Sequence, residues 1–291
     1  MAFSFTSTAE EVTDGLELRG RTFVVTGCNS GLGLETARVL GLRGAHVIGT
    51  ARTREKAAEA LAALGIAGTA VEAELEEPRS VRAAVRVVRE LGRPLDGVVA
   101  NAGIMALPEL QQVHGVERQL FTNHVGHHLL VTGLLDALTD GGRVVVLSSG
   151  AHFYAREHGL ELDNLSGAER PYDPWRMYGR SKLANILFAR AVARRLPAGR
   201  TANAVHPGVI RTNLARHVPN VEQMFEGMRN RLKSLGQGAA TQVLVATHPS
   251  LAGTTGAYFA DCAVADALPV AYDDALGERL WEVTEDLLAR S

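Results

Sequence analysis

The sequence predicts an α/β protein, a single domain with a doubly wound parallel sheet of about seven strands and helices on both faces. Short runs rich in β-branched residues alternate with longer helical stretches, a pattern typical of parallel strands joined by right-handed crossovers. One run, Arg143–Leu147, is almost continuous valine, as expected for a strand buried on both faces. Because no repeat, low-complexity tract or long linker interrupts the alternation, one domain is expected.

The predicted elements follow one another in a regular order. The first strand begins at Thr22 and ends at Val25, and the helical pattern after the next turn ends at Leu42. The later strands are predicted at Ala45–Gly49, Thr69–Ala73, Leu95–Ala100, Arg143–Leu147, Thr201–Val205 and Ala257–Ala260. The later helical stretches are predicted at Arg54–Leu64, Ser80–Leu91, Val113–Leu138, Tyr178–Leu196 and Gly238–Thr247. The domain is expected to cover residues 21–291, with an extension at 1–20, an insertion at 158–177 and an apolar lid at 212–236.

Composition limits the classes of function. The 291 residues are 46% hydrophobic and 21% charged with a formal net charge of -2, the profile of a soluble globular protein without a basic surface for nucleic acid. No apolar run approaches the roughly 20 residues that span a bilayer, and residues 1–20 lack the features of a signal peptide. Two cysteines, Cys28 and Cys262, make no disulfide framework. A cytoplasmic protein without nucleic-acid or membrane partners is therefore expected.

A glycine-rich turn joins the first strand to the first helix, with glycines at Gly27, Gly31 and Gly33. Glycines permit a tight turn and close backbone approach, and a helix N-terminus offers free N–H groups and the positive end of a dipole. Both features suit a pyrophosphate, whereas the simpler alternative is a βα turn without a ligand. The residues expected to contact a dinucleotide here are Gly27, Asn29, Ser30, Gly31, Leu32 and Gly33.

The end of the second strand indicates which dinucleotide is bound. Enzymes that use NAD usually carry an acid there for the ribose 2′-hydroxyl, but this chain carries Thr50-Ala51-Arg52. The Arg52 guanidinium could pair with a 2′-phosphate and lie beside the adenine. NADP(H) is therefore expected as the preferred cofactor, with NAD(H) as the alternative if Arg52 is only a solvated surface residue.

Tyr178 and Lys182 lie at i and i+4 of a predicted helix, so both side chains project from one face. An ammonium near a phenol favours the phenolate and lowers a pKa that is about 10 in an unperturbed tyrosine. Such a phenol could donate a proton to a carbonyl oxygen or accept one from an alcohol near neutral pH. The lysines of this arginine-rich chain are Lys56, Lys182 and Lys233, and their scarcity modestly favours a chemical role for Lys182.

These residues together resemble the short-chain dehydrogenase/reductase family over nearly the whole chain. The matching segments are Thr26–Gly33, Asn101-Ala102-Gly103, Ser148-Ser149, Tyr178–Lys182 and His206-Pro207-Gly208. Three further segments are similar to the branch of retinol dehydrogenases and WW-domain oxidoreductases: Asn123–His127, Ser181–Phe188 and Gly256–Cys262. The long insertion between Ser149 and Tyr178 also matches that branch. The resemblance implies a Rossmann-fold domain and hydride transfer.

The resemblance also implies a role for each catalytic residue. Tyr178 would be the general acid in carbonyl reduction and the base in alcohol oxidation. Lys182 would lower its pKa and hold the nicotinamide ribose, Ser149 would bind the substrate oxygen, and Asn123 would maintain a water path to Lys182. Further cofactor contacts are implied at Glu74, Leu75, Asn101, Ala102, Gly103, Pro207, Gly208 and Thr212. Glu74 departs from the family pattern, in which a shorter aspartate is common.

The substrate is expected to be a hydrophobic ketone, aldehyde or secondary alcohol, because the insertion and the lid are rich in aromatic and apolar residues. Two alternatives stay open. One is a catalytically silent NADP-binding regulator, and the other is a nucleotide-sugar epimerase or dehydratase, whose glycine turn and substrate domain usually differ from those of this chain.

Two more interpretations concern packing. His124, His127 and His128 share a predicted helix without an acid or cysteine at ligand spacing, so packing or hydrogen bonding is expected rather than a metal site. The helix Tyr178–Leu196 is apolar on more than one face. Because the family commonly dimerises through this helix, a homodimer or homotetramer is expected; the alternative is burial within the same subunit.

Overall fold

The computed structural model describes residues 3–290, in which strands and helices alternate as the sequence predicts. The strands are β1 (Thr22–Thr26), β2 (His46–Ala51), β3 (Gly68–Glu72), β4 (Leu95–Ala100), β5 (Gln112–Val113), β6 (Val116–Glu117), β7 (Leu138–Leu147), β8 (Thr201–His206), β9 (Val209–Ile210), β10 (Leu232–Lys233), β11 (Tyr258–Ala260) and β12 (Ala263–Val264). The helices are α1 (Gly31–Leu42), α2 (Arg54–Leu64), α3 (Pro78–Glu90), α4 (Arg118–Leu120), α5 (Gly126–Leu134), α6 (Pro174–Arg195), α7 (Val221–Gly227), α8 (Leu235–Thr247) and α9 (Asp274–Ala289).

Within residues 3–290, eight strands form the central sheet in the order β12-β11-β8-β7-β4-β1-β2-β3. All neighbours pair in parallel except β11 and β12, which form an antiparallel hairpin. The predicted doubly wound sheet is confirmed, with one strand more than the seven expected because β12 is only two residues long. The chain reverses direction across the sheet between β1 and β4, and a crevice at such a point is where open α/β sheets bind ligands.

The helices lie on both faces of the sheet. Helices α3, α5 and α6 bury apolar residues against one face, while α1, α2 and α8 cover the other. Val24 and Ile48 point to the first face and Val25 and Val47 to the second, as the alternation of side chains along a strand requires. The core is therefore divided by the sheet, and the crevice opens along its carboxyl edge.

Two predicted helices differ from expectation. The stretch predicted as helical from Val113 to Leu138 contains the β5–β6 hairpin, whose turn needs the positive φ of Gly115, and then α4, a π turn at Phe121–Val125 and α5. Helix α6 begins at Pro174, because the Asp173 carboxylate caps it by accepting from the backbone N–H groups of Trp175 and Arg176.

The second helical layer comes from α9, which was not predicted from the sequence. It packs on α6, where the indole of Trp281 stacks on Phe188 at 5.9 Å between ring centroids and the guanidinium of Arg195 lies 4.0 Å from the Trp281 ring. The apolar faces of α6 are thus covered by the same chain. At the other end, Ala9 and Val12 are buried against α8. Among the helices of residues 3–290, none has the length and apolar character needed to cross a bilayer.

Candidate active site

The glycine turn between β1 and α1 has the geometry that a dinucleotide requires. Gly27 and Gly31 adopt positive φ values of 67° and 54°, which side-chain-bearing residues rarely adopt. A Cβ at Gly33 would lie 2.6 Å from the amide nitrogen of Asn101 and still closer to the Gly27 carbonyl. Only glycine therefore lets α1 begin this close to the turn, with its N-terminal N–H groups directed into the crevice.

A cavity of about 300 Å³ opens above this turn at the carboxyl edge of the sheet. The predicted cofactor residues that line it are Gly27, Asn29, Ser30, Gly31, Leu32, Arg52, Glu74, Leu75, Asn101, Ala102, Gly103, Tyr178, Lys182, Pro207 and Thr212. Gly33 lies behind the turn. Gly208, with φ 95°, is backed by the Lys233 side chain, whose Cδ would lie 2.7 Å from an added Cβ. The structure thus gathers around one cavity the carboxyl ends of β1, β2, β3, β4, β7 and β8.

Other charged and polar residues, which no sequence motif indicates, also line the cavity. Arg118 donates from Nε to Glu76 Oε1 at 2.9 Å, and Thr122 donates to the same oxygen at 2.8 Å. Burial raises the pKa of Glu74, while Arg52 and Arg118 act in the opposite direction. This end of the cavity therefore holds two carboxylates and two guanidiniums. Arg118 and Thr122 lie in the stretch predicted as plain helix, and their spacing carried no motif.

Tyr178 and Lys182 project from α6 into the inner end of the cavity. Both are almost fully buried, and the Lys182 ammonium lies 5.5 Å from the centroid of the Tyr178 ring. Lys182 Nζ donates to the carbonyl of Leu147 at 3.1 Å. The phenol of Tyr178 is hydrogen-bonded to the side chain of Ser149, which lies two residues beyond the end of β7. The three predicted catalytic side chains are thus brought together.

The pKa values of this pair differ from the sequence-based expectation. Burial raises the pKa of Tyr178 to about 12, and the hydrogen bond from Ser149 offsets this only in part. Burial also lowers the pKa of Lys182 to about 7. Desolvation opposes both the phenolate and the ammonium, and it outweighs the attraction expected from the i, i+4 spacing. Tyr178 is therefore a neutral phenol at pH 7, the form that donates a proton.

The backbone that follows Ser149 is held by two histidines, the buried His152 and the half-buried His206. His152 Nδ1 lies 2.7 Å from the Ser149 carbonyl, and its Nε2 accepts from the backbone N–H of Leu268 at 3.1 Å. His206 Nδ1 accepts from the N–H of Gly150 at 3.1 Å. Burial lowers the pKa of His152 and lowers that of His206 to about 4, so both are neutral. The peptide bond that follows the serine is therefore held at both its carbonyl and its N–H, by residues that the sequence motif does not reveal.

Asn123 lies in the buried π turn rather than on the cavity wall. Its Oδ1 accepts from the N–H of Ile104 at 2.8 Å, and its Nδ2 donates to the Ile104 carbonyl at 3.0 Å and to Ser181 Oγ at 2.9 Å. Gly103 is required beside it, because a Cβ there would lie 2.9 Å from Oδ1. Asn123 thus ties the loop after β4 to α6, and its implied water path to Lys182 stays a prediction.

The insertion at 158–177 is fastened to α6 by Arg180. This buried guanidinium donates to the carbonyls of Leu160, Glu161 and Asn164 at 2.9, 3.0 and 2.8 Å. The hydroxyl of Tyr172 donates to the carbonyl of Leu107 at 2.9 Å. In the lid, the helical spacing corresponds to α7, with only Phe225 of that helix buried. The insertion is therefore held against the rest of the domain by buried hydrogen bonds, whereas the lid is more exposed.

Lys233, at the end of the lid, is the second buried lysine. Its ammonium pairs with Asp261 Oδ1 at 2.6 Å and lies 4.8 Å from the centroid of the Phe5 ring. Asp261 and Cys262 form the turn between β11 and β12, both at positive φ. Two of the three lysines are therefore buried: Lys182 lies in the cavity, and Lys233 lies beneath the Pro207-Gly208 turn.

Comparison with known proteins decides the family. The family model described as short chain dehydrogenase matches residues 21–160. "Short-chain dehydrogenase TIC 32 B, chloroplastic" of Brassica napus is 39% identical over 298 aligned residues, covering 97% of this chain and 93% of that protein. The chain belongs to the short-chain dehydrogenase/reductase family.

Further members of the short-chain dehydrogenase/reductase family place the chain near one branch. Human retinol dehydrogenase 14 is 36% identical, covering 92% of this chain and 86% of that protein. Human WW domain-containing oxidoreductase is also 36% identical, covering 97% of this chain and 71% of that protein. The expected likeness to this branch is therefore confirmed.

Solved structures agree with the family. A protein from Mycobacterium paratuberculosis superposes with a TM-score of 0.76 at 34% identity, covering 96% of this chain and 97% of that one. A short chain dehydrogenase from Burkholderia cenocepacia J2315, solved in complex with NADP, superposes with a TM-score of 0.67 at 26% identity, covering 84% of this chain and 98% of that one. A nicotinamide dinucleotide fits the donor set of this chain, because the glycine turn and the N-terminus of α1 offer backbone N–H groups to a diphosphate.

Proposed function

We propose that the protein is an NADP(H)-dependent oxidoreductase that transfers a hydride between nicotinamide and a hydrophobic ketone, aldehyde or secondary alcohol. The observation that carries the proposal is the placement of Tyr178 and Lys182 at the inner end of the cavity that the glycine turn also lines, with Ser149 hydrogen-bonded to the Tyr178 phenol. Proton-handling groups and a phosphate-binding turn around one cavity are what coupled hydride and proton transfer needs.

Tyr178 acts as the general acid when a carbonyl is reduced. Its hydroxyl is neutral at pH 7, so it can transfer its proton to the carbonyl oxygen as negative charge develops there. Ser149 shares a hydrogen bond with the phenol and can hold the same oxygen, which fixes the substrate in line with the phenol. The bound nicotinamide supplies or receives the hydride. In the reverse reaction the Tyr178 phenolate accepts the alcohol proton.

Lys182 stabilises charge at this end of the site. Its ammonium lies 5.5 Å from the Tyr178 ring centroid and is already anchored on the Leu147 carbonyl. Once the phenol has given up its proton, the adjacent cation stabilises the phenolate that remains. Lys182 also lines the cavity, where its remaining N–H groups can bind the ribose hydroxyls of the cofactor.

Arg52 supports NADP(H) as the preferred cofactor. It lines the cavity directly after β2, is exposed, and precedes the Thr53 cap of α2. An unpaired guanidinium at this position can bind a 2′-phosphate through two parallel N–H donors. Arg118 and Arg216 also line the cavity, but Arg118 is engaged by Glu76 and Arg216 donates to the Asn213 carbonyl at 3.1 Å. Arg52 is therefore the residue on which the choice of cofactor rests, with NAD(H) as the alternative.

The substrate class, quaternary state and location are part of the same proposal. The insertion places Trp175 within 6.4 Å of the Tyr178 ring, between centroids, and the lid contributes Leu214 to the cavity wall, which supports a hydrophobic substrate. A homodimer or homotetramer would use a surface other than the face of α6 that α9 covers. A cytoplasmic location is proposed from composition.

The test is a panel of hydrophobic ketones and aldehydes, with oxidation of NADPH or NADH followed by absorbance. We expect turnover by the wild-type protein with NADPH and its loss, by about a hundredfold or more, in Tyr178→Phe, because the phenol alone carries the proton. Undiminished activity in Tyr178→Phe would refute the mechanism. NADPH binding without turnover of any substrate would favour the silent regulator.

The same assay tests the cofactor preference. Arg52→Ala should raise the KM for NADPH by about tenfold or more while changing that for NADH little, because only NADPH carries the phosphate. Arg54→Ala, two residues further along the chain and outside the cavity lining, is the matched control. An equal effect of Arg52→Ala on both cofactors would overturn the assignment.

A further inference from the structure

His127 is a buried histidine that the proposed chemistry does not use. It lies in α5, and each ring nitrogen has one partner: Nδ1 is 3.0 Å from the backbone carbonyl of Asn123, and Nε2 is 2.9 Å from Thr26 Oγ1. Thr26 is the last residue of β1, directly before the glycine turn. The imidazole therefore stands between the cofactor turn and the π turn that contains Asn123.

The hydrogen bonds of Thr26 decide which ring nitrogen carries the proton. Thr26 Oγ1 accepts from the backbone N–H groups of Asn101 and Ala102, each at 2.9 Å. A hydroxyl oxygen has two lone pairs and one proton, so after these two bonds it can only donate. His127 Nε2 must be the acceptor of that proton, and Nδ1 must carry the ring proton and donate it to the Asn123 carbonyl.

This assignment also fixes the charge. A protonated imidazole would present an N–H at both nitrogens, and Thr26 Oγ1 would then face a third donor with no lone pair left. Complete burial lowers the pKa of His127 to about 4, and the nearby Lys182 acts in the same direction. The geometry and the burial thus agree on a neutral ring with one tautomer.

The ring connects two halves of the proposed site. On one side, Thr26 holds the backbone after β4 and, through its own carbonyl, the amide of Asn101 at 2.8 Å. On the other side, the Asn123 side chain holds Ser181, which in turn donates to the Tyr178 carbonyl at 2.8 Å. Because an imidazole has no flexible bond between its nitrogens, it sets a fixed spacing between the cofactor turn and the helix of the catalytic tyrosine.

We propose that His127 is a positioning residue that, as the neutral Nδ1-protonated tautomer, couples the cofactor turn to the Asn123 π turn and thereby to α6. The proposal rests on the proposed function for its kinetic consequences. Its structural part, the tautomer and the effect on dinucleotide affinity, does not need turnover. An error of about 1 Å in the relative position of bound groups can reduce a rate by about a hundredfold, which is the scale on which such coupling matters.

Two substitutions separate the two sides of the ring. The amide of His127→Asn can replace Nδ1 and still donate to the Asn123 carbonyl, but it leaves the Thr26 hydroxyl without its acceptor. The amide oxygen of His127→Gln can replace Nε2 and accept from Thr26, but the Asn123 carbonyl loses its donor. We expect His127→Asn to raise the Kd for NADPH by about tenfold with little change in kcat, and His127→Gln to lower kcat by about tenfold with little change in Kd.

The matched controls are His128→Asn and His128→Gln. His128 is equally buried on the next position of α5, but it faces α9, where its Nε2 pairs with Glu285 at 2.6 Å. If a buried histidine has only a structural role, both pairs of variants should have lower melting temperatures, and in neither pair should one variant affect only the Kd and the other only kcat. The same loss in both His127 variants, or the same division in the His128 variants, would overturn the proposal.

The decisive measurement is made on the unmodified protein. Nitrogen-15 NMR of histidine-labelled protein distinguishes a protonated Nδ1 from a protonated Nε2, and we expect Nδ1–H for His127 with no change between about pH 6 and 8. A protonated Nε2, or a charged ring, would overturn the proposal even if the variants do not fold. If the wild-type protein shows no turnover, the proposed function fails, while the tautomer and the Kd for NADPH still decide the role of His127.

Discussion

Replacing Arg180 by lysine should loosen the insertion at 158–177 while leaving Tyr178 and Lys182 in place. The guanidinium is buried and serves the carbonyls of Leu160, Glu161 and Asn164 from two different nitrogens. Lysine keeps the charge but offers a single nitrogen; placed where Nη2 lies, it can serve the carbonyls of Glu161 and Asn164, and the Leu160 carbonyl is left without a donor. Because a hydrogen bond to a charged group contributes about 1.5–3 kcal/mol, Arg180→Lys should lower the free energy of unfolding by about 1.5–3 kcal/mol.

Urea unfolding followed by circular dichroism measures this loss, and the melting temperature should fall by about 3–6 °C in a chain of this length. The insertion should become accessible to limited proteolysis, and the KM for a carbonyl substrate should rise more than kcat falls. Arg194→Lys is the control, because Arg194 on the same helix pairs with the half-exposed carboxylates of Asp274 and Glu278, and each pair should contribute less than about 1 kcal/mol. If Arg180→Lys were as stable as Arg194→Lys and its insertion stayed uncut, the reasoning would be refuted.

Three further predictions follow from burial and close approach. Gly33→Ala should raise the Kd for NADPH by about a hundredfold, because the added Cβ would lie against Asn101 and the Gly27 carbonyl. The control is Gly253→Ala, whose added Cβ would meet open space. Equal affinities of the two variants for NADPH would contradict the argument. Trp281→Ala should uncover the face of α6 at Phe188 and increase the self-association seen in size-exclusion chromatography. The control, Trp175→Ala, should not change it. A wild-type dimer that can be cross-linked through α6 would contradict the prediction. Burial lowers the pKa of Lys182 from 10.5 to about 7. Between these two pH values the unfolded chain binds more protons than the folded protein does. The loss of folding free energy that comes from burying Lys182 therefore becomes smaller as the pH rises. Lys182→Met should therefore melt above the wild type at about pH 7 with a difference that shrinks toward about pH 9, and a constant difference, or the same trend in exposed Lys56→Met, would count against it.

The parts of the fold that could be predicted from the sequence are those with local causes. The strand β1 and the turn at Gly27 were predictable because β-branched residues and glycines act within a few positions of one another. The i, i+4 spacing of Tyr178 and Lys182 likewise fixes their common face wherever the helix packs. Arg52 could be placed at the cavity because it follows a strand whose carboxyl end meets the crevice.

The parts that could not be predicted depend on contacts between distant segments. Nothing near Ser149 in the chain shows that Leu268 would hold His152. Helix α9 covers α6 through the contact of Trp281 with Phe188, two residues that are far apart in the sequence. The π turn at Asn123 is stabilised by Ile104 and Ser181, neither of which neighbours it in the chain. Burial itself is nonlocal, which is why the pKa of Tyr178 was expected to be low and is high.

In the proposed mechanism, that reversal changes the point at which Lys182 acts. Burial makes the resting pair neutral at Tyr178 and only partly charged at Lys182, so the site holds a proton ready to give and little charge to reorganise. When the phenol donates that proton, the new phenolate raises the proton affinity of Lys182 beside it, because the two titrations are coupled. The i, i+4 pair therefore acts after the proton has moved rather than before it. In the proposed reverse reaction, the oxidation of an alcohol, a proton must first leave the Tyr178 phenol, whose pKa burial raises to about 12.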